Sequence, residues 1–237
     1  MTDPISLTTT SIQFDLQRLN TIANNAANAM TPGFKREFLA TVGQFDSVLM
    51  NQHQLPQPIL SAVIDNKPGV QNPTGNPLDL ALMNVGYFEV STDYGYSYTR
   101  QGSFRLDEKG RLVTHQGQPV SGVSGDIYLS NPNPKIDSEG RIFEDGKLIG
   151  QIKVVAFDQT AKLVKVGGGF FIPSGPAEKQ EIDHPEISQG HLESSNVDSA
   201  QEMVKLIETY RHFETSHKVI QAYDELNDKA LKNLSQF

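Results

Sequence analysis

The apolar positions of the chain follow a helical period at its two ends and an alternating period in between. Near the N-terminus a seam of Ile5, Thr9, Ile12, Leu16, Leu19, Ala23, Ala26 and Met30 advances by alternating steps of four and three. That spacing lines one face of a helix in a heptad pattern. Thr31-Pro32-Gly33 ends the helix, because Pro32 disfavours helical geometry at Thr31 and Gly33 tolerates the left-handed conformation of a helix C-terminus. Asn24, Asn25 and Asn28 are poor helix formers within it. Either their amides bond to close neighbours, or Asn24 and Asn25 fray the end of a surface helix.

The stretch from His191 to Phe237 holds no glycine and no proline, so it reads as one long helix. From Val197 to Leu234 it would extend about 57 Å at 1.5 Å per residue, longer than a compact domain of this size covers along its own length. Two capping boxes are open for its start, Asp198 with Gln201 and Ser199 with Glu202. Ala200, Met203, Ile207 and Tyr210 form one seam, which breaks at Glu214 and His217. The apolar set then moves to Val219, Tyr223, Leu226, Ala230 and Leu234, with Ile220 beside it. Two offset seams suit a helix that meets different neighbours along its length.

Between these ends, residues 51–77 are punctuated by Pro56, Pro58, Pro68, Pro73 and Pro77 and read as an extended connector. The run Ile59–Ile64 is apolar enough for a strand, either an arm on a neighbouring surface or a strand of the chain's own domain. Residues 78–187 read as short strands with tight turns. Leu106-Asp107-Glu108-Lys109-Gly110-Arg111-Leu112 recurs thirty positions later as Ile136-Asp137-Ser138-Glu139-Gly140-Arg141-Ile142. Each copy predicts a hairpin, with Asp opening the turn and Gly supplying positive φ. Tyr94, Tyr96 and Tyr98 alternate along a strand and are expected to pack against neighbours, a sugar- or base-stacking platform being the alternative.

Composition removes several classes. The chain has no cysteine, which excludes disulfides, thiolate zinc sites and cysteine nucleophiles. A net charge of −8 with scattered lysines and arginines leaves no basic stripe for nucleic acid. No window approaches the roughly 18 apolar residues of a membrane span, and no basic stretch precedes Arg18, so any export is expected to use no classical signal peptide. His212 and His217 are five apart, about 140° around a helix, whereas paired helical zinc ligands stand four apart. His191 with Glu193 and Asp198 reads as a loop and cap cluster. Gly167-Gly168-Gly169 lacks the lysine and hydroxyl of a phosphate loop and reads as a turn. No catalytic residue, metal ligand or cofactor motif is assigned; carboxylates paired only by folding are invisible at this level.

The run from Leu19 to Arg36, Leu-Asn-Thr-Ile-Ala-Asn-Asn-Ala-Ala-Asn-Ala-Met-Thr-Pro-Gly-Phe-Lys-Arg, closely resembles the N-terminal signature of the flagellar rod, hook and axial protein family, with Ala26 where leucine is usual. Asn76–Ala81, Gly86–Phe88, Tyr98–Phe104 and Gly110–Thr114 resemble its β-domain. Leu192–Asp198, Glu202–Ile207, Lys218–Gln221 and Asp224-Glu225 resemble its C-terminal region, with Ser216 for asparagine and Leu226 for methionine. The resemblance is to the basal-body rod members, and to the proximal type before the distal.

What it implies is an α+β fold. Long N- and C-terminal helices (within 1–50 and 188–237) pair as a coiled-coil assembly domain around a central domain of short antiparallel strands (78–187), with 51–77 as connector. The implied role is structural: subunits polymerise through their terminal helices into a tubular drive shaft that transmits torque and encloses the export channel. Implied partners are other copies of the chain, adjacent rod or hook-side proteins and the flagellar type III export apparatus, with no nucleic acid and no membrane insertion. The expected assembly residues are Ile5, Ile12, Leu16, Leu19, Asn24, Asn25, Asn28, Pro32, Gly33, Phe34, Asn196, Val197, Met203, Ile207, Tyr210, Ile220, Tyr223, Leu226 and Leu234. A carbohydrate-active enzyme or a trimeric fibre protein are the alternatives from other classes.

Overall fold

The computed structural model describes residues 4–42, 59–158, 161–175 and 177–234, without the side chains of residues 4, 41, 42, 59, 230, 231, 233 and 234. The chain divides into two units. One is built from the two terminal helices and a β-hairpin; the other comprises Asn28–Arg36 with Asn66–Asn196.

In the helical unit, α1 spans Pro4–Ala27. Its first residue is proline, which needs no hydrogen-bond acceptor at a helix start and has φ already set. The Thr9, Thr10 and Thr21 hydroxyls donate to the carbonyls of Ile5, Ser6 and Gln17, each four residues back, which satisfies them within the helix surface. α1 ends at Ala27, so Met30, expected on its seam, lies beyond the helix and is almost fully exposed. α2 spans Ser199–Leu234. Of the two possible caps Asp198 is used: its Oδ1 accepts from the amides of Ala200 (2.9 Å) and Gln201 (3.1 Å). Glu37–Val42 pairs antiparallel with Ile59–Ile64, Glu37 opposite Ile64 and Val42 opposite Ile59, so the apolar run in the connector is a strand of the chain's own hairpin.

The expected coiled coil is not what the helices form. A heptad pair would turn its seam residues inward, yet Leu16, Met203, Ile207, Tyr210 and Leu226 are exposed, from 45% to 65%. The stripes turned inward are different ones. On α1 they centre on Asp15, Ile22 and Asn25, and on α2 on Glu202, Lys205, Thr209, Phe213, Ser216 and Ile220. At 100° per residue the inward face lies roughly 100° from the expected seam on α1 and roughly 120° from the Met203, Ile207 and Tyr210 seam on α2. The physical reason is polar pairing: Asp15, Asn25 and Glu202 are nearly inaccessible to solvent, and a buried polar group is stable only where its hydrogen bonds are made. The fold class α+β stands; the coiled-coil pairing does not.

In the β unit a six-stranded antiparallel sheet runs in the order Leu163–Lys165, Phe170–Pro173, Gly95–Thr99, Tyr87–Thr92, Val154–Phe157, Lys179–Glu181. Phe88, Val90, Val154 and Phe170 from this sheet meet Leu80, Phe104, Leu112, Ile142 and Ile152 in one core. The repeated turns are near copies. Asp107 Oδ1 accepts from the amides of Lys109 and Arg111 at 2.8 and 2.9 Å, and Asp137 Oδ1 from those of Glu139 and Arg141 at 3.0 and 2.9 Å. In each copy the Arg guanidinium returns to the other carboxylate oxygen. Of the three tyrosines only Tyr98 is packed, edge-on to Phe157 at 4.7 Å; Tyr96 and Tyr94 are exposed. Two late strands close the unit: Ile187–Gln189 pairs with Leu80–Leu82, and His191–Glu193 with Gln71–Pro73.

Candidate assembly interface

The residues expected to act in assembly fall into three physical settings. The first is a buried knot in the β unit, where the segments carrying Gly33 and Asn196 meet. The Gly33 amide donates to the Glu193 carbonyl at 2.7 Å. Gly33 has φ +67°, and a Cβ there would lie 2.5 Å from the Arg100 carbonyl group, so both the backbone conformation and the space require glycine. Asn196 clamps the neighbouring backbone, accepting from the Arg36 amide at 2.7 Å and donating through Nδ2 to the Lys67 carbonyl at 3.0 Å. Phe34 is buried, with the Lys165 ammonium 3.9 Å from its ring centroid. Pro32 is half-buried, as is Asn28, whose Oδ1 accepts from the Thr31 hydroxyl; Val197, also half-buried, belongs to the helical unit.

Beneath these residues lies a charge cluster that reading the sequence did not single out. Lys35 Nζ donates to Glu193 Oε1 at 2.6 Å and to the Lys67 carbonyl at 2.7 Å, and the Gly69 amide adds a bond to the same carboxylate oxygen at 2.9 Å. Arg100 stands 3.4 Å from Glu193 Oε2, an ion pair without hydrogen-bond alignment. Among the described residues, Glu193 Oε2 and Arg100 Nε have no hydrogen-bond partner. Arg100 is anchored instead by its bond to the Asn84 carbonyl at 2.7 Å. Burial holds its guanidinium below the usual range, and Glu193 opposes that shift. The sequence signal was available: Lys35, Arg100 and Glu193 all lie in family-like blocks, and three charges in such blocks are candidates for one buried site.

The second setting is the polar contact between α1 and α2. Asn25 acts as a three-way joint. Its Oδ1 accepts from the Glu37 amide at 3.0 Å, and its Nδ2 donates to the Glu37 carbonyl at 2.7 Å and to Glu202 Oε2 at 3.2 Å. The asparagine amide thus pairs both backbone groups of Glu37 as a neighbouring strand would. Further along, His212 Nδ1 lies 2.5 Å from Asp15 Oδ2. Spacing alone could not pair Asp15 with His212 or Asn25 with Glu202, because the partners are 197 and 177 residues apart. Asn24 is exposed, while Ile5, Ile12, Leu19 and Ile220 are half-buried.

The third setting is apolar and outward. Met203 is 65% exposed, Ile207 51% and Tyr210 56%, and these three lie on one face of α2. Tyr223 and Leu226 are exposed on a second face, roughly 160° away around the helix. The side chain of Leu234 lies outside the described residues.

Other chemistry has little support. Among the described residues no group of three His, Asp or Glu side chains is placed to hold a metal ion. Among the same residues no helix is long and apolar enough to cross a membrane. A groove of about 1030 Å³ in the β unit is lined by Tyr94, Tyr96, Arg111, Gln116 and Phe170, with Asp93 as its acidic lining residue. Its Arg111 is tied to Asp107 and Asp126.

Three family profiles match the chain in its own order. Residues 14–35 match "Flagella basal body rod protein", residues 81–167 "Flagellar hook protein FlgE/F/G D1 domain", and residues 188–233 "Flagellar basal body rod FlgEFG protein C-terminal". The chain is 31% identical to the flagellar basal-body rod protein FlgF of Mesorhizobium japonicum, over 92% of each chain. It is 33% identical to FlgF of Escherichia coli over 90% of each. It is 30% identical to the rod protein FlgG of Bacillus subtilis, over 88% of this chain and 90% of that one.

Proposed function

Because the chain belongs to the flagellar basal-body rod protein family, a family of structural subunits of the flagellar basal body, we propose that it builds the rod through its two terminal helices. The observation that carries this is the exposed row Met203, Ile207 and Tyr210 on a helix whose inward face is polar. Apolar surface of that kind gains free energy only when a neighbour excludes water from it. A repeated head-to-tail contact that does not close on itself propagates as a helical tube, and such a tube transmits torque and encloses a channel.

The partners we propose are further copies of this chain, adjacent rod or hook-side proteins and the flagellar type III export apparatus, which would pass the chain unfolded and without cleavage of a signal peptide. The role is non-enzymatic. Chain length and the departure of the N-terminal helix from the usual distal-rod sequence support the proximal, FlgF-like position over the distal, FlgG-like one.

Deletion of residues 197–237 followed by inspection of basal bodies tests the assembly role: rods should be missing and motility lost, and normal rods would overturn it. Position is tested by complementation. Motility should return in a host lacking FlgF and not in one lacking FlgG.

A further inference from the structure

The groove of the β unit lies where the turns at Asp93, Gly117 and Gly168 meet. Two of its walls are tied down. Gln116 Nε2 donates to the Gly168 carbonyl at 3.0 Å, and the Thr92 hydroxyl to the Gly95 carbonyl at 2.7 Å. At the floor Ser97 is only 6% exposed, yet its hydroxyl makes no hydrogen bond among the described residues. A polar group buried this far is ordinarily paired within its own chain. The Ser91 hydroxyl lines the groove and is likewise unpaired among those residues. Gln118 accepts from the Thr114 hydroxyl at 2.7 Å through Oε1, which leaves its Nε2 over. Two rings stand beside these groups, the buried Phe170 and the fully exposed Tyr94. Tyr96 already has the Lys179 ammonium 5.4 Å from its ring centroid, so the free aromatic platform is Tyr94.

We propose that this groove binds a neutral oligosaccharide, with a sugar ring stacked on Tyr94 and its hydroxyls bonded to Ser91, Ser97 and Gln118. Binding sites combine aromatic or apolar walls with a few placed polar groups, and sugar hydroxyls donate and accept as serine hydroxyls and carboxamides do. In the free protein water fills those roles, and a ligand that reproduces its bonds displaces it without loss. Charge argues against phosphate: the basic lining residue Arg111 is held by Asp107 and Asp126 at 3.2 Å each, and Asp93 adds a negative charge. A peptide has no strand edge to join here, since Tyr87–Thr92 and Gly95–Thr99 lie inside the six-stranded sheet. Glycoside cleavage uses two flanking carboxyl groups, and the lining supplies Asp93 alone. The groove therefore holds a glycan without hydrolysing it. None of its lining belongs to the terminal helices, so this binding is independent of the assembly role.

The test is amide NMR of the full-length chain titrated separately with cellotriose, maltotriose and triacetylchitotriose. At least one should bind with a dissociation constant of about 1 mM or tighter and move the signals of Ser91, Tyr94, Ser97 and Gln118. Tyr94→Ala should weaken that binding about tenfold, as loss of one stacked ring does, and Tyr94→Phe should restore it. Tyr94 is fully exposed, so both variants keep the fold. Inorganic phosphate should leave the four signals unmoved. The inference is overturned if none of the three sugars moves them at about 10 mM, or if Tyr94→Ala binds as well as the parent chain. Larger shifts at the same residues with a serine- and asparagine-rich peptide than with any sugar would also overturn it.

Discussion

Lys35 Nζ and Glu193 Oε1 meet at 2.6 Å across 158 residues of chain, and each side chain is 1% exposed. Removing the carboxylate leaves Lys35 and Arg100 buried together as like charges. Glu193→Ala should therefore cost about 3–5 kcal/mol, the usual penalty for breaking a buried pair from one side. Urea unfolding of the full chain measures this, and a loss below about 1 kcal/mol would show that the cluster is solvated.

Gly33 and Gly146 both have positive φ, +67° and +77°, but only Gly33 is crowded, by the Arg100 backbone at 2.5 Å. Alanine at Gly146 should cost about 1 kcal/mol from conformation alone. At Gly33 the added clash is with main chain, which cannot swing aside, so the loss should be at least twice as large. Paired denaturant curves compare them.

The Asp107 carboxyl is held below its usual value, first by the Arg111 backbone amide and then by the Lys109 amide and the Arg111 guanidinium. A carboxylate depressed in the folded state stabilises that state above its unfolded value of about 3.8, and the contribution fades as pH falls through the folded value. Asp107→Asn should thus be less stable than the parent chain at neutral pH, with the difference shrinking toward zero in acid. Unfolding curves collected from pH 7 down to pH 2 would show a constant gap if this were wrong.

Met203→Asp separates stability from assembly. The side chain is exposed, so the isolated subunit should change by no more than about 0.5 kcal/mol. On the proposed assembly role basal-body rods should nevertheless fail to form, because the charge would have to lose its water at the contact. Electron microscopy of basal bodies and a melting curve of the purified chain give the two readings.

Local chemistry was legible from the residues alone. The start of α2 at one of two adjacent caps and the two turns that run from Asp107 to Arg111 and from Asp137 to Arg141 each depend on backbone preferences within a few residues, whereas α1 ends at Ala27, short of the stop expected at Thr31-Pro32-Gly33. Rotation of the helices was not legible. Periodicity selects the most apolar face as the inward one, and here Asp15, Asn25 and Glu202 override it through partners far away in sequence. The heptad seam is a real pattern of apolar positions, but much of it does not face the neighbouring helix. Lys35 and Arg100 escaped notice for a related reason, since a charged residue is ordinarily a surface residue and only the fold brings Glu193 to them.

The strands that close the β unit, Ile187–Gln189 and His191–Glu193, pair with segments that precede them by more than a hundred residues. This arrangement gives the unit a clock. A chain that emerges N-terminus first exposes Gly33 and Lys35 early, yet the carbonyl and carboxylate of Glu193 that receive them come 158 residues after Lys35. The unit can finish folding only when nearly all of its chain is present.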